Sequence, residues 1–213
     1  MIQVHKLWAT PFFNGKITRE INDAARDAIL AIQAFEAADP LGNHGDLVNN
    51  WTSPDDLQTR PEFAALCEEI KTFVNQCLDF LTVKRDDIII NCMWANVAPL
   101  GCVHLEHVHS NAQYSGVIYL QVPEGAVGTF FRDPRPAAVM FAPDYYNPSS
   151  EIIGNDLMVD PEECKITMWP AWLAHGVPTN RPNLEVRRIV LSYNIMLRGL
   201  STKPTTRLDT RNL

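Results

Sequence analysis

The first third of the chain carries its apolar residues at helical spacing. From Thr18 they recur every three or four positions, which predicts an amphipathic helix. A second such pattern begins near Pro61, which suits a first helical turn, and Thr59 and Glu62 have the spacing of a capping box. The two stripes consist of Ile21, Ala25, Ala28, Ile32 and Phe35, and of Phe63, Leu66, Ile70, Phe73, Val74, Cys77 and Leu81. Both patterns predict helices that pack on a core rather than bind a cofactor.

From Asp87 the pattern changes to short runs rich in β-branched and aromatic residues, which is typical of strands. Turn-forming residues separate the runs. The eight candidate strands are "DIIINCMWANV", "HLEHVH", "YSGVIYLQV", "GTFFR", "AAVMFA", "CKITMWP", "AHGVP" and "RRIVLSYNIML". Helices first and short strands afterwards predict a mainly β sandwich or barrel, with the helices packed on one sheet.

Two segments lack this regularity. Residues 143–163 are long, polar and rich in turn formers, which fits either a mobile lid or binding loop, or a surface excursion. The tail 201–213 is predicted to be frayed or weakly docked. We expect one domain over 1–213, with helical support over about 17–82 and the strand core over about 87–198.

Composition narrows the class of protein. The 213 residues are 46% hydrophobic and 20% charged, an ordinary globular balance, and the net charge of −7 argues against a broad nucleic-acid-binding face. The five cysteines are odd in number and form no C-x-x-C, so we expect a reduced, cytoplasmic protein. No signal peptide and no apolar stretch of membrane-spanning length is evident. The oligomeric state stays open, and a homodimer is compatible with the sequence.

The segment "HLEHVH" at 104–109 concentrates candidate metal ligands. In a regular strand alternate side chains share a face, so His104 pairs with Glu106 or His107 pairs with His109. Only a bulge would point both pairs into one pocket. The residues alone leave both pairs as candidates.

Two later features complete a possible site. Neutral imidazole binds divalent transition metals, and two ligands on one strand with His175 from a distant strand could cap one face of a metal. That arrangement is typical of non-haem Fe(II) oxygenases. Arg187 and Arg188 follow, and the planar fork of an arginine can bind a carboxylate.

The motifs of the second half follow a recognisable order. They are Trp94 and Asn96, Gly101, His107 and His109, "SGVIY" at 115–119, "DPR" at 133–135, "WPAWLAHGV" at 169–177 and "RIVLSYN" at 188–194. In this order they resemble the 2-oxoglutarate/Fe(II)-dependent oxygenase superfamily, and more narrowly a bacterial and phage branch of it. The resemblance covers about half of the chain in motif terms, and Trp169 stands where that branch usually has Phe.

The resemblance implies a double-stranded β-helix, a cupin-like jelly roll, which uses Fe(II), 2-oxoglutarate and molecular oxygen to hydroxylate a substrate that the sequence does not identify. It implies His107, His109 and His175 as iron ligands. The implied co-substrate-binding residues are Arg188, Tyr119, Ser192, Asn96, Asn194 and His104.

One departure from the superfamily leaves two other functions open. The superfamily uses H-x-D or H-x-E, whereas His109 stands at the acidic position, so three neutral ligands would leave the site more positive by one charge. The chain could then be a three-histidine cupin-like metalloenzyme that does not use 2-oxoglutarate. A non-catalytic jelly-roll binding module is the remaining alternative.

Overall fold

A computed structural model describes residues 2, 3, 5, 9–37, 50–135, 140, 144, 146, 156–179, 183–203 and 206–212. Within these residues, no helix combines the length and the apolar character needed to cross a membrane.

Two α-helices precede most of the strands, as predicted. Helix α1 spans Arg19–Ala37 and α2 spans Ala64–Phe80, and two short 3-10 turns, Leu57–Thr59 and Pro61–Phe63, lead into α2. Their buried residues belong to the main hydrophobic core. The last turn of α1 departs from the prediction, because Phe35 is 80% exposed although it falls on the predicted apolar stripe.

The predicted capping box is wrong. Helix α2 begins at Ala64, and neither Phe63 nor Arg60 makes a side-chain capping hydrogen bond. The hydroxyl of Thr59 instead donates to the carbonyl oxygen of Asp56 over 2.8 Å. The segment therefore enters the helix through consecutive 3-10 turns, whose own backbone hydrogen bonds replace the cap.

The strands form two larger antiparallel sheets and a hairpin. Their order is β1-β8-β5-β10-β3-β2 in the six-stranded sheet, β4-β9-β6-β7 in the four-stranded sheet and β11-β12 in the hairpin. Their bounds are β1 Phe13–Lys16, β2 Trp51–Thr52, β3 Asp87–Leu100, β4 His104–His107, β5 Tyr114–Gln121, β6 Thr129–Arg132, β7 Asp156–Val159, β8 Lys165–Pro170, β9 His175–Val177, β10 Asn183–Arg198, β11 Leu200–Lys203 and β12 Thr206–Asp209.

The six-stranded sheet separates the core from the pocket. On β10, Ile189, Leu191 and Tyr193 are almost fully buried in the core that the two helices cover. The alternate residues Arg188, Val190 and Ser192 line a pocket together with residues of the four-stranded sheet. Two sheets that enclose a pocket, with helices on the outer face of one, form the expected double-stranded β-helix.

Three segments differ from their predicted state or lie outside the described residues. Part of 143–163 is strand β7, which pairs with β6, and most of the remainder is not described, so the lid stays a prediction. The predicted frayed tail contains β12 and most of β11, paired as a hairpin. The candidate strand "AAVMFA" lies almost entirely outside the described residues.

Candidate metal and co-substrate site

A bulge brings three neighbouring histidines to one pocket. Strand β4 pairs with β9, and its register shifts between His104 and His107. Both rings therefore face the pocket and stack, with centroids 4.6 Å apart. His109 lies just beyond the strand, where its backbone N–H donates to the carbonyl oxygen of Ala171 over 3.0 Å, and its ring stacks 5.0 Å from that of His175. Strand alternation predicted either His104 with Glu106 or His107 with His109 in the pocket. Because the bulge interrupts the alternation, His104 lies in the pocket together with His107 and His109.

The ligand atoms of His107, His109 and His175 all lie within 4.8 Å of one another. The Nε2 atoms of His109 and His175 are 3.2 Å apart. Two nitrogen ligands at about 2.1 Å from one metal ion, at a right angle, would be about 3.0 Å apart. The observed separation therefore suits two neighbouring ligands of one ion.

Hydrogen bonds on the far side of the rings orient these nitrogens. Nδ1 of His107 lies 2.8 Å from the carbonyl oxygen of Leu105, and Nδ1 of His175 lies 2.8 Å from that of Leu173. Because a carbonyl can only accept, each Nδ1 carries the proton and each Nε2 presents a lone pair. Both candidate ligands thus occur in the pattern Leu-x-His, a local signal that the sequence analysis did not use.

His109 has no such backbone acceptor among its described ring contacts. Its Nε2 lies 3.2 Å from Nε2 of His175, and its ring stacks on that of Trp94. The ring nitrogens of His107, His109 and His175 thus gather at one side of the pocket, an arrangement that a cation would stabilise.

The environment keeps His104, His109 and His175 neutral. Burial is the main cause that lowers the pKa of His104 and of His109 to about 4 and that of His175 to about 3, and the neighbouring imidazoles add to the effect. Metals bind the neutral form of imidazole. At neutral pH these rings are therefore ready to act as ligands without losing a proton.

Glu106, the acidic candidate of the other register, lies outside this group. It is exposed, and Nε and Nη2 of Arg132 donate to its carboxylate over 2.9 and 2.7 Å. Arg132 also pairs with Asp156 at 2.8 Å. Among the described residues, the group that could hold a metal contains the three histidines and no carboxylate.

A partly buried cation lies in the same pocket. Nη1 of Arg188 donates to the carbonyl oxygen of Val127 over 2.8 Å, and burial lowers the pKa of the guanidinium. In the described part of the chain no carboxylate forms an ion pair with it. Arg187, one residue earlier, is exposed. A charge buried without a counter-ion is costly, so Arg188 marks a place for an anion.

The pocket contains most of the residues that the resemblance implied. Tyr119, Ser192, Asn96 and His104 line it together with Arg188. Near Arg188, the hydroxyls of Tyr119 and Thr129 lie 3.0 Å apart. The lining does not include Asn194.

Sequence reasoning missed three lining residues. Trp94 stacks on His109 with centroids 5.6 Å apart, and Trp169 meets His175 edge-on at 4.8 Å. Nδ2 of Asn50, the residue before β2, donates to the side-chain oxygen of Asn96 over 3.4 Å. Both tryptophans stand in motifs that were recognised, but nothing in the sequence around Asn50 signals its position.

The cavity is of moderate size. It encloses about 60 Å³.

Part of the sequence matches a known protein family. Residues 92–194 match a family model described as "Putative 2OG-Fe(II) oxygenase". No curated protein matches the sequence.

Solved structures share the fold at low sequence identity. A Pseudomonas putida prolyl-4-hydroxylase is 12% identical with a TM-score of 0.59, over 89% of this chain and 94% of that one. HygX from Streptomyces hygroscopicus, solved with nickel and 2-oxoglutarate bound, is 11% identical with a TM-score of 0.57, over 88% and 83%. The viral collagen prolyl hydroxylase vCPH from Paramecium Bursaria Chlorella virus-1, solved as its 2OG complex, is 10% identical with a TM-score of 0.53, over 86% and 94%.

The family match spans the strands that carry all three histidines and Arg188, and the fold agrees over most of the chain. The chain therefore belongs to the 2-oxoglutarate- and Fe(II)-dependent oxygenase superfamily.

Proposed function

We propose that this protein is an Fe(II)- and 2-oxoglutarate-dependent dioxygenase that hydroxylates its substrate, with His107, His109 and His175 as the iron ligands. The observation that carries the proposal is one pocket with two complementary ends. The ring nitrogens of three histidines gather at one end, and at the other end lies a cation that forms no ion pair with a carboxylate of the described residues. A dicarboxylate that shares one carboxylate with a metal and presents the other to Arg188 would satisfy both.

The residues of the pocket bind and orient the reactants. Arg188 would hold the distal carboxylate of 2-oxoglutarate with its planar fork, which fixes the register of the molecule. Ser192 lies on the same strand face and could donate to that carboxylate, as could the hydroxyl of Tyr119. Iron and 2-oxoglutarate, when bound, would supply the chemistry that activates molecular oxygen for hydroxylation of a substrate C–H bond, with 2-oxoglutarate as the reductant.

The surrounding side chains restrict access of water. Trp94 and Trp169 cover the rings of His109 and His175, and Val117 and Val190 contribute apolar surface to the same pocket. Excluding water from such a site strengthens its electrostatic interactions and limits side reactions.

The test begins with protein purified without an affinity tag. Anaerobic titration of the Fe(II)-loaded protein with 2-oxoglutarate should produce a visible charge-transfer band, and oxygen should then yield succinate. His175→Ala should lose most of the bound iron and the band. His5→Ala is the matched control, because His5 is exposed and lies outside the pocket.

The three-histidine site also favours a second candidate, a metalloenzyme that does not use 2-oxoglutarate. Arg188 would then bind a carboxylate of the substrate. Bound iron with no response to 2-oxoglutarate would favour this candidate. A protein that binds no metal and shows no metal-dependent shift in melting temperature would instead favour a non-catalytic binding module.

A further inference from the structure

The segment 127–129, which leads into β6 of the four-stranded sheet, forms hydrogen bonds with two side chains of the six-stranded sheet. Nη1 of Arg188, on β10, donates to the carbonyl oxygen of Val127 over 2.8 Å. The hydroxyl of Tyr119, on β5, lies 3.0 Å from the hydroxyl of Thr129. One short segment therefore contacts both side chains that we place at the distal carboxylate of 2-oxoglutarate.

Gly128 lets this segment lie close to the neighbouring strand. A Cβ at this position would be 1.7 Å from the carbonyl oxygen of Val159 on β7, which is too close without a movement of the backbone. The next residue, Thr129, is paired opposite Val159. Because the two backbones approach so closely, the sheet holds Thr129 in place, and its hydroxyl is a fixed point against which a phenol can be oriented.

Strand register brings Tyr119 beside Arg188. Tyr119 is paired opposite Val190 on β10. Arg188 lies two residues before Val190 and therefore on the same face of the strand. Tyr119, Thr129 and Arg188 all line the pocket. The pair of hydroxyls and the cation thus lie at the same end of the pocket.

The two hydroxyls carry one proton more than their mutual hydrogen bond uses. Tyr119 is 1% exposed and Thr129 is 6% exposed, so bulk water has little access to them. Each hydroxyl has one proton to donate, and the bond between them uses one of the two. No hydrogen bond within the described part of the chain uses the other proton. Because a buried donor without an acceptor is costly, this proton favours a ligand with an acceptor oxygen.

We propose that Thr129 is a positioning residue whose hydroxyl donates to the Tyr119 oxygen and thereby presents the Tyr119 proton to the distal carboxylate of 2-oxoglutarate. The inference rests on the proposed function, since it takes 2-oxoglutarate as the anion of the pocket. The phenol is the more acidic of the two hydroxyls, so it gains more by donating to an anion. A hydroxyl that accepts one hydrogen bond also becomes a stronger donor in the next.

Removing the Thr129 hydroxyl tests this role. Thr129→Val keeps the shape of the side chain without the hydroxyl, whereas Thr129→Ser keeps the hydroxyl. Anaerobic calorimetric titration of the Fe(II)-loaded protein with 2-oxoglutarate measures the affinity. Thr129→Val should weaken binding about 3- to 10-fold, the effect of losing one neutral hydrogen bond, and Thr129→Ser should remain near the wild-type affinity. Thr72→Val is the control, because it makes the same change at an exposed position of α2.

Two further measurements separate this local effect from a loss of structure. Fe(II) should bind Thr129→Val as it binds the wild type. 2-Oxopentanoate, a 2-oxo acid of the same length without the distal carboxylate, should also bind the two proteins alike. Should the valine variant fail to fold, Thr129→Ala carries the same expectations.

A double-mutant cycle tests whether Thr129 acts through Tyr119. Tyr119→Phe alone should weaken 2-oxoglutarate binding about 10- to 150-fold, since it removes a hydrogen bond to a charged group. In that background Thr129→Val should cause no further loss, because the phenol hydroxyl that it orients is absent.

Four outcomes would overturn the inference. They are an unchanged 2-oxoglutarate affinity in Thr129→Val, an equal loss in Thr129→Ser, an equal loss for 2-oxopentanoate, and an undiminished effect of Thr129→Val in the Tyr119→Phe background. In each case a wild-type protein that binds 2-oxoglutarate leaves the proposed function standing. Wild-type protein that binds Fe(II) but not 2-oxoglutarate rejects the proposed function and this inference with it.

Discussion

Replacing Arg188 with Met should have opposite effects on co-substrate binding and on stability. Methionine keeps a long, unbranched side chain but removes the charge and all donors. The guanidinium is partly buried, its pKa is lowered by burial, and its hydrogen bond goes to the carbonyl oxygen of Val127, with no carboxylate paired in the described residues. Among the described residues, the positive charge of Arg188 therefore has no carboxylate to neutralise it, and a bound anion would fill this role.

The expected loss of affinity is large. Removing one partner of a buried, charged hydrogen-bonded pair costs about 2–5 kcal/mol. With about 1.4 kcal/mol for each factor of ten, 2-oxoglutarate binding should weaken roughly 30-fold to a few thousand-fold. The three histidines are unchanged, so iron should still bind. Without ligands, the variant should melt at the same or a higher temperature than the wild type, because an uncompensated charge has been removed.

Anaerobic calorimetric titration of the Fe(II)-loaded protein with 2-oxoglutarate measures the first effect. Arg187→Met is the matched control, since Arg187 is exposed on the other face of the strand and its loss should leave the affinity nearly unchanged. If Arg187→Met abolishes binding and Arg188→Met does not, the assignment of the anion site is wrong. If neither variant changes the affinity, 2-oxoglutarate does not bind as we propose and the three-histidine alternative gains support.

Three further predictions follow from the same structure. Acidification from pH 8 to pH 5 should lower the free energy of unfolding of the metal-free protein by about 2 kcal/mol for each histidine with a lowered pKa. Below its ordinary pKa of about 6.5, a histidine of the unfolded chain takes up a proton that the folded site does not accept. Urea unfolding across this pH range measures the effect, and an unchanged free energy of unfolding would contradict it. Glu106→Gln should retain iron and change the free energy of unfolding by at most about 1 kcal/mol, since it breaks only the exposed ion pair with Arg132. A loss of iron, measured by metal analysis, would instead indicate that Glu106 is a ligand. Gly116→Ala should destabilise the fold by about 1–3 kcal/mol or more, because the added Cβ would lie 2.1 Å from the carbonyl oxygen of Thr167. Thermal melting measures this loss, and an unchanged melting midpoint would mean that β5 and β8 can move apart without cost.

Strand alternation made the Arg188 side of the pocket predictable from the sequence. The pairing of β10 with β3 is regular from Arg187 to Asn194, so side chains alternate without interruption. Arg188 and Ser192 therefore face the pocket, whereas Leu191 faces the core. The period of two is a property of the extended backbone, and the polar and apolar residues on the two faces reveal it directly.

Local patterns also predicted the helices and most strands, but failed where other parts of the chain compete. The spacing of Thr59 and Glu62 is that of a cap, yet the Thr59 hydroxyl bonds the backbone and the chain forms 3-10 turns. Strand β7 escaped prediction because its four residues, Asp156–Val159, are a short, mostly apolar run inside a long polar and turn-rich segment, and only its pairing with β6 reveals it as a strand.

At the metal end, only the tertiary structure decided the geometry. Which of the residues at 104–109 share a pocket depends on a bulge in β4, and the bulge exists relative to the register of β9, a strand far away in sequence. The position of His109 depends in the same way on a distant part of the chain, because its backbone N–H donates to the carbonyl oxygen of Ala171. The sequence by itself determined which residue types were available and the faces of the regular strands. Bulges and side-chain hydrogen bonds between distant strands are set by pairing that no local pattern contains, so the convergence of the three histidines could be read only from the folded chain.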